Sequence, residues 1–153
     1  MAQFKRIDEF LALQKRNYTI LRTALSGIDG VEFRTVPNGG VESYAFLSFF
    51  LDDLSTARAV SKSFKANGID VCFHYYDNNW HYIRKWDHLK TQNSLYPLSK
   101  ELCEGLSYLK TKDFSKSDYY IGRNISCLIK ISWTEEEVHK RAKTMAECIK
   151  SCN

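Results

Sequence analysis

The chain has 153 residues, of which 44% are apolar and 26% charged, which fits one globular domain and does not make disorder the default. Its net charge of +4 is the small difference between 22 basic and 18 acidic residues spread along the chain. With no block of like charge, nothing demands a nucleic-acid or membrane partner. The five cysteines, Cys72, Cys103, Cys127, Cys148 and Cys152, are odd in number and contain no Cys-x-x-Cys pair. They read as reduced thiols of a cytoplasmic protein. No apolar run follows Lys5 and Arg6, as a secretory signal would require, and the most apolar stretch, Tyr44 to Leu51, is too short to cross a bilayer.

In chain order, Phe4, Ile7, Leu11, Tyr18, Leu21 and Leu25 fall three and four apart, which predicts one apolar stripe on a long helix closed near Gly27 and Gly30. Because that helix starts almost at Met1, its first half is expected to have packed on something upstream. Val31 to Val36 alternates as a short strand, ended by Pro37 and an Asn38-Gly39-Gly40 turn. Ser43 to Leu51 is aromatic and aliphatic on both faces, as in a strand covered on two sides. Ser55 is the expected cap of a helix that carries Ala59, Val60 and Phe64 on one side and stops at Asn67-Gly68. Ile69, Val71, Phe73 and Tyr75 alternate with polar neighbours as a strand, and Tyr76 to Lys116 shows short helical pieces at best. Ile125 to Ile131 reads as the last strand. Thr134 and Glu137 then form a capping box, with Trp133 and Val138 as a hydrophobic staple, ahead of a stripe through Ala142, Met145, Ile149 and Cys152. This order predicts an α+β fold: one domain over residues 1–153, with a small, mostly antiparallel sheet of three to four strands and helices packed on one face.

The densest group of polar and aromatic side chains runs from His74 to Tyr82, just beyond a strand, where functional groups often sit. His74 and His81 could bind an anion or exchange protons. The asparagines and tyrosines offer the neutral donors and acceptors that sugar hydroxyls need. Equally, His74 could be a strand histidine satisfied by its neighbours, with the aromatics forming core. Cys72, His74, His81 and His88 are zinc-ligand types, but their spacing matches no zinc pattern. Cys72 and His74 lack the third, orienting group of a nucleophilic pair. Base stacking on the aromatic strands lacks surrounding Lys and Arg and any matching motif. No phosphate-binding glycine loop is present, since Gly39-Gly40 joins two strands. The acidic run Thr134 to Glu137 is explained by the helix dipole.

Taken in order, Ala2-Gln3-Phe4-Lys5-Arg6-Ile7-Asp8, then Asn67-Gly68-Ile69 with His74-Tyr75 and His81, then Ile129 to Val138, the sequence resembles the C-terminal domain of the DegT/DnrJ/EryC1/StrS aminotransferases. The resemblance covers essentially the whole chain. It departs where Tyr76 replaces a customary proline and where the loop before His81 is one residue longer. The resemblance implies a small domain that closes over pyridoxal phosphate held by a separate large domain, which carries the catalytic lysine. On it, no residue of this chain is catalytic, and His74, Tyr75, Asn79, His81 and Tyr82 line the substrate side. It further implies a sugar substrate, an amino acid donor such as glutamate, a homodimer, and an isolated chain that is inactive. The alternative is an independent, non-enzymatic module binding a sugar or nucleotide through the same cluster.

Overall fold

The computed structural model describes residues 4–78 and 80–153. Its elements are α1 (Ile7–Leu25), β1 (Glu32–Phe33), β2 (Phe46–Phe50), α2 (Leu54–Ala66), β3 (Cys72–Phe73), α3 (Asp87–Lys90), α4 (Lys100–Thr111), α5 (Ser115–Arg123), β4 (Asn124–Leu128) and α6 (Glu135–Lys150). The four strands pair antiparallel throughout in the order β1-β2-β4-β3. This is the α+β architecture expected from the sequence.

The β2–β4 register sets the two faces of the sheet. Leu47 stands opposite Cys127 and Phe49 opposite Ile125, and all four turn to one side. There they meet Tyr18, Leu21 and Leu25 of α1, Ala57, Val60 and Phe64 of α2, and Val138, Ala142, Met145 and Ile149 of α6. Each helix presents a stripe spaced three and four apart, so one layer of three helices covers one sheet face. The intervening strand positions, Ser48 and Phe50 with Ser126 and Asn124, face the other way.

Local signals explain most boundaries. Thr134 accepts from the Glu137 amide at 3.2 Å while the Glu137 carboxylate accepts from the Thr134 amide at 2.7 Å, completing the capping box of α6. At α2 the cap is Asp53 and not Ser55: the Asp53 carboxylate accepts from the Thr56 amide at 2.7 Å and from the Ser55 hydroxyl at 2.6 Å. The buried stripe of α2 likewise uses Ala57 in place of the exposed Ala59. The helix ends at Asn67, after which Gly68 takes φ +72°, a conformation that disfavours any residue with a Cβ.

As expected of a helix whose first half packs on another surface, Phe4, Ile7 and Leu11 are exposed, only the second half of α1 is buried, and a 3-10 turn over Phe4–Arg6 precedes it. Other expectations are corrected. The strand expected over Ile69 to Tyr75 shrinks to Cys72–Phe73, because Val71 lies at φ +54°, outside the extended region. The stretch from Tyr76 to Lys116 is more helical than its pattern suggests, holding the three-turn α4 and the start of α5. Neither offers a core stripe: α4 buries no residue and α5 only Gly122. The cysteines are not all free. Cys72 and Cys127 stand opposite each other on β3 and β4 and are joined as a disulfide, with Cα atoms 4.0 Å apart. Cys103, Cys148 and Cys152 remain thiols. No helix among the described residues is long and apolar enough to cross a membrane.

Asp70, just before β3, is bound by Lys130 at 2.7 Å and by Arg141 of α6. The hydrogen bond from Lys130, with the Arg141 guanidinium beside it, holds its carboxyl below the usual carboxylate range. A folded-state pKa depressed below the unfolded one contributes stability that is complete above the ordinary carboxylate range. That contribution is lost as the pH falls through the depressed value. Asp70→Asn should therefore destabilise the chain at neutral pH and flatten the acid limb of a urea-midpoint-against-pH curve. Thr134→Ala should cost about 1 kcal/mol in a urea titration, through loss of the α6 cap.

Candidate functional site

The end of β3 determines where the polar and aromatic cluster goes. Phe73 pairs with Ser126, so its ring lies on the helix-free face of the sheet. The chain then folds back on itself, with the amides of Asp77 and Asn78 reaching the His74 carbonyl at 3.3 and 3.4 Å. The reversal splits the cluster into two groups.

One group stands on the helix-free face. Tyr75 stacks on Phe73 with ring centroids 5.8 Å apart and meets His81 edge-on at 5.0 Å. Trp80, 62% exposed, lies 5.9 Å from Phe73 and 6.2 Å from His81. Tyr75 and His81 then line a cavity of about 320 Å³ with Arg34, Ser48, Phe50, Tyr120, Ile121 and Asn124. Ser48 and Ser126 share a hydroxyl–hydroxyl bond of 2.8 Å, and Ser126 also donates to the Asn124 amide oxygen at 3.0 Å. Asn124 donates in turn to the Phe49 carbonyl at 3.1 Å. Neutral polar groups on a rigid strand floor, aromatic rings on the sides and one guanidinium at the rim make a surface suited to hydroxyl-bearing rings. Burial pushes the Tyr75 phenol up, so it is a neutral donor at physiological pH.

The other group faces inward. His74 is buried; its Nε2 donates to the Gly122 carbonyl at 2.8 Å, and its Nδ1 lies 3.2 Å from the Asp77 carboxylate. Asp77 is also gripped by Arg58 through bonds of 2.8 and 2.7 Å, and those bonds hold its carboxyl below the usual range. Tyr82 is buried and donates to Asp118 at 2.7 Å, and Asp118 pairs with Arg84. Tyr76 has Lys85 over its ring at 4.3 Å. Each of these side chains has its partner within the fold and ties the loop to α2 and α5.

Of the five predicted site residues, the structure thus joins Tyr75 and His81 at one cavity and sends His74 and Tyr82 to the loop's inner side. Asn79 lies outside the described residues. Sequence reading missed Arg34, Ser48, Phe50, Tyr120, Ile121 and Asn124, which come from three distant segments. One signal was available: Ser48 is the polar exception in an otherwise apolar strand, and Asn124 and Ser126 alternate around Ile125.

A second depression, a groove of about 790 Å³ between α2 and β3, holds Lys62, Lys65 and Arg58 on one wall and Cys72, Phe73 and Trp80 on the other. Neither depression suits covalent attachment of pyridoxal phosphate. The cavity lining contains no lysine and no carboxylate. In the groove the lysines are exposed, and the carboxylates Asp70 and Asp77 are already bound to Lys130, Arg141 and Arg58. Among the described residues no three His, Cys, Asp or Glu side chains gather as metal ligands.

Comparison with known proteins places these features in context. The fold is similar to an aminotransferase, TlmJ from Streptoalloteichus hindustanus, with a TM-score of 0.62 at 15% identity over 99% of this chain and 35% of that one. It is also similar to 3-amino-5-hydroxybenzoic acid (AHBA) synthase, with a TM-score of 0.62 at 18% identity over 97% of this chain and 36% of that one. The chain therefore spans about a third of the length of these solved structures. Residues 1–119 match the DegT/DnrJ/EryC1/StrS aminotransferase model, and the chain belongs to that family.

Proposed function

We propose that this chain is the small domain of a pyridoxal-phosphate-dependent sugar aminotransferase, which moves an amino group from an amino acid donor, glutamate, to a keto or aldehyde sugar. The observation that carries this reading is the cavity on the free sheet face, where Tyr75 and His81 meet Ser48 and Asn124. Within the family, Ala66-Asn67-Gly68, Asn78 to Tyr82 and Ser132-Trp133-Thr134 favour a transaminase that forms 8-amino-8-deoxy-Kdo in cytoplasmic synthesis of cell-surface polysaccharide. Its substrate would be an oxidised Kdo.

The cofactor supplies the electron sink for moving an amino group. In this reading it is held by a large domain, in a homodimer; neither the Tyr75–His81 cavity nor the groove between α2 and β3 suits it. This chain's residues bind and orient the sugar. The Tyr75 phenol and Ser48 and Asn124 supply neutral hydrogen bonds, Phe50 and Tyr120 exclude water, and the His81 ring, which has no hydrogen-bond partner among the described residues, is available to the ligand. His74 and Tyr82 position the loop; Asn79 is assigned to the substrate by the family resemblance alone. The exposed Phe4, in the turn ahead of α1, and Ile7 and Leu11 of α1 fit a surface that the large domain covers.

Titrating the purified chain with pyridoxal phosphate, followed by borohydride trapping and mass analysis, should give no saturable binding and no specifically modified lysine. Stoichiometric trapping on one lysine would overturn the division of labour between domains. In ligand-observed NMR with Kdo, Tyr75→Phe and His81→Ala should each weaken binding roughly 3- to 10-fold, the loss of about one hydrogen bond. Tight binding of a nucleotide sugar that ignores both substitutions would favour an independent binding module.

A further inference from the structure

We propose that Cys72 and Cys127 form a reversible thiol–disulfide site that governs how firmly the segment between them is held. The proposal does not depend on what the cavity binds. The two residues are 55 positions apart, and the bridge joins the edge strand β3 to β4. The segment between them holds the Tyr75–Tyr82 loop, α3, α4 and α5, and is otherwise tied to the rest of the fold mainly by the Asp77–Arg58 pair and by α5 against α2. This segment is thinly packed. Of its described residues from 74 to 123, only His74, Tyr82 and Gly122 are buried.

The ladder gives little help. β3 contributes two paired residues, Cys72 with Cys127 and Phe73 with Ser126, and one further backbone bond runs from Leu128 to the Val71 carbonyl at 2.9 Å. A covalent closure of a long, loosely packed loop is where a bridge changes the ensemble most.

Access is one-sided. Cys127 is 2% exposed within the core, while Cys72 is half-buried and lines the groove between α2 and β3. A dithiol reductant entering by the groove attacks the Cys72 sulfur as a thiolate. A mixed disulfide forms at Cys72, and the Cys127 thiolate leaves and takes a proton. The second thiol of the reductant then closes on its partner and releases Cys72, which is protonated in turn. Two electrons and two protons pass to the protein, and the dithiol becomes a disulfide. An oxidised dithiol or oxidised glutathione reverses the exchange.

The test compares the full chain after oxidised glutathione with the same chain after dithiothreitol. Oxidation should yield a linked peptide containing Cys72 and Cys127 while Cys103 is alkylated. Reduction should raise the rate of chymotrypsin cleavage between residues 74 and 123 by roughly tenfold, with cleavage in α1, α2 and α6 unchanged. Cys72→Ala should be cut at the fast rate under both conditions, and Cys103→Ala should keep the contrast. Should Cys72→Ala lose its helical circular dichroism, the wild-type comparison decides alone. Failure to trap the linked peptide under oxidant, or equal cleavage in both redox states, overturns the proposal.

Discussion

Five consecutive residue pairs between β2 and β4 divide the molecule into two chemistries. Because successive side chains of a strand point to opposite faces, one register decides both sides at once. Leu47, Phe49, Ile125 and Cys127 go to the helices, and Ser48, Phe50, Asn124 and Ser126 go to the open face. A slip of β2 by one residue would turn Ser48 toward α1, α2 and α6 and expose Leu47 and Phe49, two of the largest core side chains. The hydrophobic core therefore fixes the floor of the candidate site, although no residue of that floor belongs to the core cluster. The surface that could meet a ligand inherits the rigidity of the packing beneath it.

The loop that completes the site is held differently. β3 is too short to anchor it by ladder bonds, and the anchoring falls to side chains on either side of the strand. Asp70 precedes β3 and reaches Lys130 and α6; Asp77 follows it and reaches Arg58 on α2 and His74. Exposed ion pairs contribute little singly, on the order of 0.2–1 kcal/mol. Here they act on the same short strand as the cross-strand sulfur bridge, and His74 adds a buried bond to the Gly122 carbonyl. Tyr75 and His81 are thus carried by a segment fixed at its root and loosely packed beyond it.

The sequence was informative where structure is local. The capping box at Thr134 and Glu137, the stop at Asn67-Gly68 and most of the stripes of α1, α2 and α6 were readable, because each depends on residues within a turn or two. The same locality misled at α2, where Asp53 and Ser55 are both good caps and only the structure shows that the serine donates to the aspartate. The helix α4 went unread although Cys103, Leu106 and Leu109 fall three apart along it and are half-buried; none of its residues joins the core, so nothing tied that stripe to the strands and helices around it. At the site, proximity in sequence was not proximity in space. His74 and Tyr75 are neighbours, yet the fold-back after them sends one inward and the other to the cavity. Arg34, Ser48 and Asn124 are assembled by strand register, which no single stretch encodes. The pairing of Cys72 with Cys127 was invisible for the same reason.

The sheet is also bounded in an unusual way. Its two outer strands, β1 and β3, are only two residues long. A long bare edge is a template on which another chain can add a strand, and proteins commonly blunt such edges. Here the template is short: β1 adds only the Arg34 amide to the Ser48 carbonyl beyond its pair, and β3 is flanked by the left-handed Val71 and the fold-back after His74. Growth by continuous strand addition, the route to fibrils and to runaway domain exchange, has nowhere to begin. Association through ordinary surfaces, such as the exposed apolar turn of α1 or the open sheet face, stays possible and stays bounded. A domain with uncovered apolar residues can in this way be sticky to a defined partner without polymerising with itself.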